Sequence, residues 1–172
     1  MTNPIPEKVV NYNVYDDTEK LVGLTAEVTL PKLEAMTETI SGAGILGEYD
    51  SANPGHFGSM EIGLTFRTLF DKSFSLLKST GRPLIFRAAQ QSYDVSQGRV
   101  LHRGLKITIN GQPKGLGLGK LGVGAATETE NTMEILYIKI EENGKVLLEL
   151  DKLNYIYILD GEDMLKDFMK FI

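Results

Sequence analysis

The sequence predicts a mainly β fold, either a β-sandwich or a β-barrel, with one internal α-helix. Apolar and polar residues alternate with period two in residues 24–30, 60–67 and 105–110. This alternation is typical of antiparallel strands with one buried face. Asn143-Gly144 lies between apolar runs and indicates a tight hairpin, because a type I′ turn requires positive φ at both central residues. Further strands are predicted at residues 8–15, 84–93, 132–141, 146–150 and 155–158.

The alternating strands also predict which side chains enter the core. The residues expected to point inward are Leu24, Ala26, Val28, Leu30, Met60, Ile62, Leu64 and Phe66. The intervening polar residues then form an opposite face of these two strands.

One helix is predicted to begin at Thr68 as its N-cap and to end before Gly81 and Pro83. Its apolar residues recur at helical spacing and are Leu69, Phe70, Phe74 and Leu77. A second, short helix is predicted after Asp160, with an apolar stripe that should pack against another surface. The residues of that stripe are Met164, Leu165, Phe168 and Met169.

Two glycine-rich segments, residues 41–58 and about 111–131, are predicted as long loops. Loops of this length inside a compact domain usually serve a function. The chain of 172 residues is otherwise expected to form a single domain, residues 1–172, since neither a linker nor an internal repeat divides it.

Composition argues against most catalytic and metal sites. Hydrophobic residues make up 42% of the chain and charged residues 24%, and there are two histidines and no cysteine. Disulfides, thiolate zinc sites and cysteine nucleophiles are therefore excluded. Residues 117–122 match the pattern GxGxxG, but predicted strands flank them where a dinucleotide site needs a strand and a helix. We expect neither a metal nor a cofactor, and no enzymatic activity.

Charge is distributed unevenly along the chain. Residues 1–66 carry a net charge of −7, residues 67–120 a net charge of +8 and residues 121–172 a net charge of −6. These charges either intermix on the folded surface or form complementary patches that meet between copies of the chain. Because the whole chain is acidic, tight binding to nucleic acid is not expected. No apolar run approaches the length of a membrane span, and the N-terminus lacks the pattern of a signal peptide.

Several segments, in order and spacing, resemble the major tail tube proteins of contractile-tailed phages and R-type bacteriocins. These segments are Val28–Leu33, Ser41–Gly44, Gly58–Glu61, Arg103-Gly104, Gly119-Lys120, Glu128–Glu130, Gly144–Asp151, Asn154 and Gly161. The resemblance covers residues 9–165. Residues 111–127 depart from it, because they are richer in Gly and Leu than in many members.

The resemblance implies a structural subunit of an inner tail tube. Hexameric rings with a continuous inner β-barrel would stack into a hollow tube, which a contracting sheath drives through the target envelope. The implied partners are other copies of the chain, the sheath protein, and baseplate and tail-terminator proteins. DNA would be present only in transit through the lumen, and no stable membrane association is implied. The implied location is a virion tail or bacteriocin particle assembled in the bacterial host cytoplasm.

Within this interpretation, the polar positions of the two alternating strands are candidates to face the lumen, where their acidic groups would repel DNA phosphates. They are Thr25, Glu27, Thr29, Ser59, Glu61 and Thr65. The candidates for a loop that contacts the next ring are Gly42, Gly44, Leu46, Glu48, Asp50 and Phe57. A second loop between subunits would involve Leu116, Leu118, Lys120 and Leu121.

Two alternatives remain at this point. A tube of a type VI secretion or extracellular injection machine would have the same architecture. A β-sandwich ligand-binding module, for example one that binds carbohydrate, would need an aromatic platform, for which Tyr93, Tyr155 and Tyr157 are the candidates.

Overall fold

The computed structural model describes residues 4–25 and 27–172, and within them the chain is mainly β, as predicted. One short helix, α1 (Asp71–Ser75), interrupts the succession of strands. The strands are β1 (Ile5–Asp16), β2 (Glu19–Leu21), β3 (Ala35–Ser41), β4 (Glu48–Phe57), β5 (Glu61–Phe66), β6 (Leu84–Asp94), β7 (Arg99–Gly117), β8 (Thr129–Glu142), β9 (Lys145–Asp151), β10 (Ile156–Leu159) and β11 (Glu162–Asp163).

Nine strands form one antiparallel main sheet, in the order β11-β10-β9-β8-β7-β6-β1-β2, with β5 paired to β8 off this path. One edge of β8 pairs with β7 along most of its length. Its other edge has two partners, β5 along the first half and β9 along the second. Asn143 and Gly144, at φ +49° and +84°, connect β8 to β9, which confirms the predicted hairpin.

The core lies between β5 and the long strands of the main sheet. Met60, Ile62, Leu64 and Phe66 are all buried, as the alternation predicted. They belong to one cluster with buried side chains of β1, β6, β7, β8 and β9, among them Val14, Leu84, Phe86, Ile107, Ile109, Ile135, Ile138, Leu148 and Leu150. Each such side chain contributes on the order of 1.5–3 kcal/mol relative to an exposed one, so this cluster is the main source of stability.

The pairing of β7 with β8 shifts register at Gly111, where the two backbones approach very closely. A Cβ atom at Gly111 would lie 1.9 Å from the backbone oxygen of Glu134. Only glycine fits such an approach. Gly111 therefore allows β7 to continue as a strand through this point.

The predicted strand at residues 24–30 is wrong. Leu24 makes an isolated bridge to Phe66, and Thr25 and residues 27–30 have no regular structure. Thr25 N donates to Thr65 O, but Pro31 follows soon after and cannot continue a hydrogen-bonded ladder. Leu24 and Val28 still pack against the core, whereas Leu30 is 47% exposed, so its predicted burial is also wrong. Ala26 lies outside the described residues.

Strands take up part of both predicted long loops, so that the loops themselves are residues 42–47 and 118–128. Within residues 41–58, Glu48–Phe57 forms β4, and only residues 42–47 link it to β3. Within residues 111–131, β7 continues to Gly117 and β8 begins at Thr129. Glycine content predicted irregular structure at both places, but hydrogen bonds to a neighbouring strand overrode that local preference.

The predicted internal helix exists but is shorter and rotated. Phe70, not Thr68, is the N-cap, and no side chain caps the helix. The Asn131 side-chain amide donates to Ser73 O over 2.7 Å, and this contact sets which side of the helix faces inward. Ser73 and Leu76 are buried as a result, and Phe70 packs edge-to-face on Phe66. The other residues of the predicted stripe, Leu69, Phe74 and Leu77, are exposed.

The predicted C-terminal α-helix is also wrong. Asp160 and Gly161 have positive φ and form a turn into β11, and the only helical piece in the region is a 3₁₀ turn at Met169–Phe171. Leu165 is buried, Phe168 is half-buried, and Met164 and Met169 are exposed. The turn forms because hydrogen bonds of β11 to β10 hold the chain extended where a helix would have to begin.

We predict that Gly111→Ala lowers the free energy of unfolding by roughly 1–3 kcal/mol, because the new methyl group must push apart two paired strands. Urea denaturation followed by circular dichroism measures this change. Gly115→Ala is the matched control, since it lies on the same strand and a Cβ there has nothing within 4 Å. Equal denaturation midpoints for the two variants would contradict the proposed steric role.

Candidate assembly surfaces

β3 and β4 form a hairpin, residues 35–57, that we call the arm. Within the described residues, its strands pair with each other and not with the main sheet. The register places the large apolar side chains Met36, Ile40 and Tyr49 on one face, together with Glu38 and Ser51, and the polar side chains Thr37, Thr39 and Asp50 on the other. An isolated two-stranded hairpin is marginally stable in water, so the arm has the character of an element that another surface covers.

The tip of the arm, residues 42–47, is rich in glycine and carries no charge. Leu46 projects fully into solvent, and Ile45 beside it is 39% exposed. Residues 33–66 contain neither Lys nor Arg, and the carboxylates of the arm and its base are Glu34, Glu38, Glu48 and Asp50. The arm therefore presents an apolar tip and carries carboxylates but no Lys or Arg along its strands.

The base of the arm is fixed to the body around Glu134. Ser59 Oγ donates to Glu134 Oε2 over 2.7 Å, and Met60 N donates to Oε1 over 3.2 Å. Lys152 Nζ donates to Gly58 O over 2.8 Å and lies 3.8 Å from Glu134. The Ser59 hydrogen bond, with help from the Met60 amide and the Lys152 charge, lowers the pKa of Glu134 against the opposing effect of burial.

Apolar contacts complete this attachment. Phe57 packs edge-to-face on Tyr157 of β10, with ring centroids 5.2 Å apart. Gly55 faces the side chain of Leu165, which would lie 2.7 Å from a Cβ at that position. The arm thus leaves the body beside β10, near one end of the strand order of the main sheet.

One face of the main sheet is polar, and we call it the polar face. Its charge changes across the sheet. On β1, β6 and β7 it carries mostly cations and amides, in the rows Asn13–Arg87–Lys106 and Lys8–Gln91–His102. On β8 and β9 it carries mostly carboxylates, namely Glu141, Glu149 and Asp151, with Lys139 between them.

A network of contacts joins the two halves of the polar face. Lys106 Nζ lies 3.3 Å from Glu141, and Lys139 Nζ lies 4.0 Å from both Glu141 and Glu149. The Tyr137 hydroxyl donates to Glu149 over 3.0 Å, and burial together with this carboxylate raises the pKa of Tyr137 to about 12. The network therefore holds its side chains in one arrangement across three strands.

The outer edge of β1 is open over residues 5–13. β2 covers only Val14 to Asp16, and no other described strand pairs with this edge. Val9 and Val10 on the open stretch are each about half exposed, at 50% and 52%. Beside the edge, a largely apolar groove of about 860 Å³ runs between β1 and residues 22–25 and 27–30. Open edges of this kind recruit another strand unless something protects them.

The six lumen candidates lie along β5 and the irregular segment beside it, not on the polar face. Thr25 Oγ1 donates to Glu27 O, and Ser59 Oγ donates to Glu134 Oε2. Glu61 forms an ion pair with Lys114, and Thr65 is half-buried. Glu27 and Thr29 are exposed. Their assignment to the lumen stays a prediction.

The ring-contact candidates all lie on the arm or its tip, and all except the half-buried Phe57 are exposed. The second candidate loop divides: Leu116 is half-buried on β7, while Leu118 and Leu121 are exposed. Lys120 lies 3.0 Å from Glu128 in an exposed ion pair. These roles, like that of the C-terminal stripe, stay predictions.

Sequence reasoning missed the polar face. Its residues stand at alternate positions of segments already predicted as strands, for example Arg87 and Gln91 in 84–93 and Lys139 and Glu141 in 132–141. The period-two signal was therefore available, but strand order was not. Only the observed order places these segments side by side with their polar positions on one face.

Three other sites considered from the sequence find no support in the described ranges. The GxGxxG residues straddle the end of β7 and the following loop, with no helix after them. Tyr93 stands on β6 and Tyr157 on β10, separated by three strands, so they do not form one aromatic platform. Among the described residues there is no cluster of metal-ligating side chains and no helix long and apolar enough to span a membrane.

Comparison with known proteins identifies the family. The model of the family described as phage tail tube protein FII matches residues 6–172. The chain belongs to this family. The resemblance stated from the sequence is thereby confirmed, and the protein is a structural tail tube subunit. The family is one of structural tube proteins, not a class of enzymes, and such proteins are components of virion tails.

Two relatives in this family come from phages. The tail tube protein of Escherichia phage P2 is 28% identical over 169 residues, which cover 94% of each chain. The major tail tube protein of Serratia phage KSP20 is 23% identical over 163 residues, which cover 95% of this chain and 93% of the relative. Both alignments span nearly the whole of each protein, so the similarity is not confined to a shared segment.

A solved structure shares the fold. It is the sheath/tube terminator of an extracellular contractile injection system, PVC, in its extended state. The TM-score is 0.56 at 13% identity, over 79% of this chain and 96% of that chain. At this identity the likeness supports the fold of the described chain.

We predict that Glu134→Gln destabilises the protein by about 1 kcal/mol at neutral pH, since the charged acceptor of two hydrogen bonds is lost. The pKa of Glu134 is lowered in the folded state. Its stabilising effect is therefore present above the unfolded pKa and is lost as pH falls through the folded value. Thermal unfolding of both proteins at neutral and acidic pH should show a difference that shrinks on acidification.

The control for this experiment is Glu38→Gln, which changes an exposed arm carboxylate with no ion pair among the described residues. It should alter stability little at either pH. A Glu134→Gln penalty that persists unchanged below the unfolded pKa would contradict the assigned role.

Proposed function

We propose that this chain forms hexameric rings that stack into the inner tube of a contractile phage tail or tail-like bacteriocin. The observation that carries the proposal is the open edge of β1 in a chain of the tail tube family. A free sheet edge is a hazard for a monomer, but a ring removes it when the edge of each copy pairs with the next copy. The whole chain then acts as one tube domain whose inner strands run on from copy to copy as a β-barrel.

The distribution of charge on the polar face supports lateral contact between copies. Cations and amides predominate toward β1 and carboxylates toward β9, and these are opposite sides of the strand order. When copies sit side by side in the same orientation, the basic side of one meets the acidic side of the next. Such a head-to-tail contact closes into a ring when the rotation between copies fits.

We also propose that the polar face lines the lumen. It is broad, hydrogen-bonded and poor in exposed apolar side chains near its centre, as a water-filled channel requires. The lumen candidates on residues 25–29 and β5 then lie on the opposite layer. A wall of paired Lys106, Glu141, Lys139 and Glu149 offers a passing polymer few unpaired charges to bind.

The remaining parts of the proposal concern partners and location. The chain acts without a cofactor and without catalysis, as a subunit assembled in the bacterial host cytoplasm. Its partners are other copies of itself, a contractile sheath, and baseplate and terminator proteins, while DNA only passes through. Family membership and the sheath/tube terminator fold support this assignment.

We predict that Val9→Lys with Val10→Lys abolishes ring formation but leaves the subunit folded, because lysines protect an open edge against pairing. Negative-stain electron microscopy at rising protein and salt concentrations should show rings or tubes for the unmodified protein and monomers for the variant. The control is Leu121→Lys with Val123→Lys, which adds the same charge at exposed apolar positions in the loop after β7, away from this edge, and should still form rings. Normal rings from the β1 variant would refute closure through β1.

The lumen assignment is tested by thiol labelling, because the chain has no cysteine of its own. We predict that Gln91→Cys on the polar face reacts with a long-chain PEG maleimide in monomers but is protected in assembled tubes. Glu61→Cys should remain reactive in both. The opposite pattern would favour the lumen candidates on β5 over the polar face.

A further inference from the structure

β5 separates two surfaces with complementary properties. The arm leaves the body just before the first residue of β5, through Gly58. Helix α1 and the loop after β7 lie beyond its last residue, where Arg67 O accepts the Thr127 amide. Six residues of strand span about 20 Å, so these surfaces stand at opposite ends of the subunit along this strand.

The surface at the far end of β5, which we call the α1 surface, is apolar and exposed. It comprises the exposed residues Leu69, Phe74, Leu77, Leu118, Leu121 and Val123. Leu121 and Val123 are almost completely exposed, at 94% and 110%. Exposed apolar residues at adjoining segments mark interaction sites more often than isolated ones do.

The charge of the α1 surface is opposite to that of the arm. Residues 67–82 and 112–127 together carry six Lys or Arg residues and one acid, Asp71. The adjoining β1–β2 turn adds Asp16, Asp17 and Glu19, of which Glu19 is paired with Lys72. Lys78 and Arg82 are exposed and form no ion pair within the described chain. The arm, by contrast, has carboxylates and no cation.

We propose that the arm of one copy docks on the α1 surface of a second copy, with Ile45 and Leu46 of the tip covering its apolar residues and Glu48 and Asp50 near Lys78 and Arg82. This inference rests on the proposed stacking of rings and names the surface that receives the arm. Because the two surfaces lie at opposite ends of β5, a copy cannot satisfy its own arm there. Repeating the contact adds copies without limit, which is the geometry of a filament.

Cross-linking in the cysteine-free chain tests the contact directly. The double variant Glu48→Cys with Lys78→Cys, treated with a bismaleimide under assembly conditions, should give a ladder of covalent multimers on a denaturing gel. Each single variant should give at most dimers. The matched control, Glu48→Cys with Arg99→Cys, moves the second thiol to the distant β6–β7 turn and should give no ladder. Tubes without a ladder from the first pair would overturn the proposal.

Charge reversal provides a second, independent test. Lys78→Glu with Arg82→Glu should abolish tubes that pellet in an ultracentrifuge, and so should Glu48→Lys with Asp50→Lys. Combining all four changes should restore tubes, because the charges become complementary again. Failure of the combined variant to assemble, or normal assembly by either pair alone, would count against the docking site.

The outcomes separate this inference from the proposed function. If the unmodified protein makes rings and tubes while neither test behaves as expected, the tube function stands and the docking site is wrong. If the unmodified protein forms neither rings nor tubes, even when coexpressed with its own sheath and baseplate proteins, the proposed function itself fails. Circular dichroism of each variant confirms that loss of assembly does not arise from unfolding.

Discussion

The close pairing of β7 with β8 is the constraint on which the rest of the structure depends. At Gly111 the two backbones approach so closely that no side chain fits between them, and the register shifts there. On its other edge, β8 pairs with β5 before this point and with β9 after it. That exchange brings β5 over the apolar side of the sheet and creates the core. It also fixes where the arm begins, since the chain enters β5 directly from the arm.

A fold organised in this way leaves the single copy incomplete. β5 and α1 cover the apolar side of the main sheet. The edge of β1, the arm and the exposed leucines near α1 remain uncovered in the single copy. These features would be liabilities in a monomeric protein. In the assembly proposed above they are the binding surfaces, and their different positions permit lateral and axial contacts to use separate parts of the chain.

Sequence patterns predicted the part of the fold that local physics decides. Period-two alternation placed Met60, Ile62, Leu64 and Phe66 in the core correctly, and Asn143-Gly144 marked its hairpin. The same alternation failed at residues 24–30, because a strand also needs a partner, and only Leu24 and Thr25 find one. Glycine-rich strands were mistaken for loops, since their pairing is decided by distant residues such as Glu134 and Ile135. The polar face could not be predicted at all without the order of the strands.

The arm has a consequence for how polymerisation begins. Beyond its attached base the arm is a two-stranded hairpin, a structure of marginal stability in water, so ordering it costs conformational entropy when it docks as proposed. In the proposed assembly, the first contacts between free subunits must overcome that cost with few compensating interactions, whereas a preformed ring would offer several receiving surfaces at once. Elongation from a template is then much faster than spontaneous initiation. On this proposal a cell would accumulate subunits in quantity, and the number of tubes would be set by the number of templates it builds.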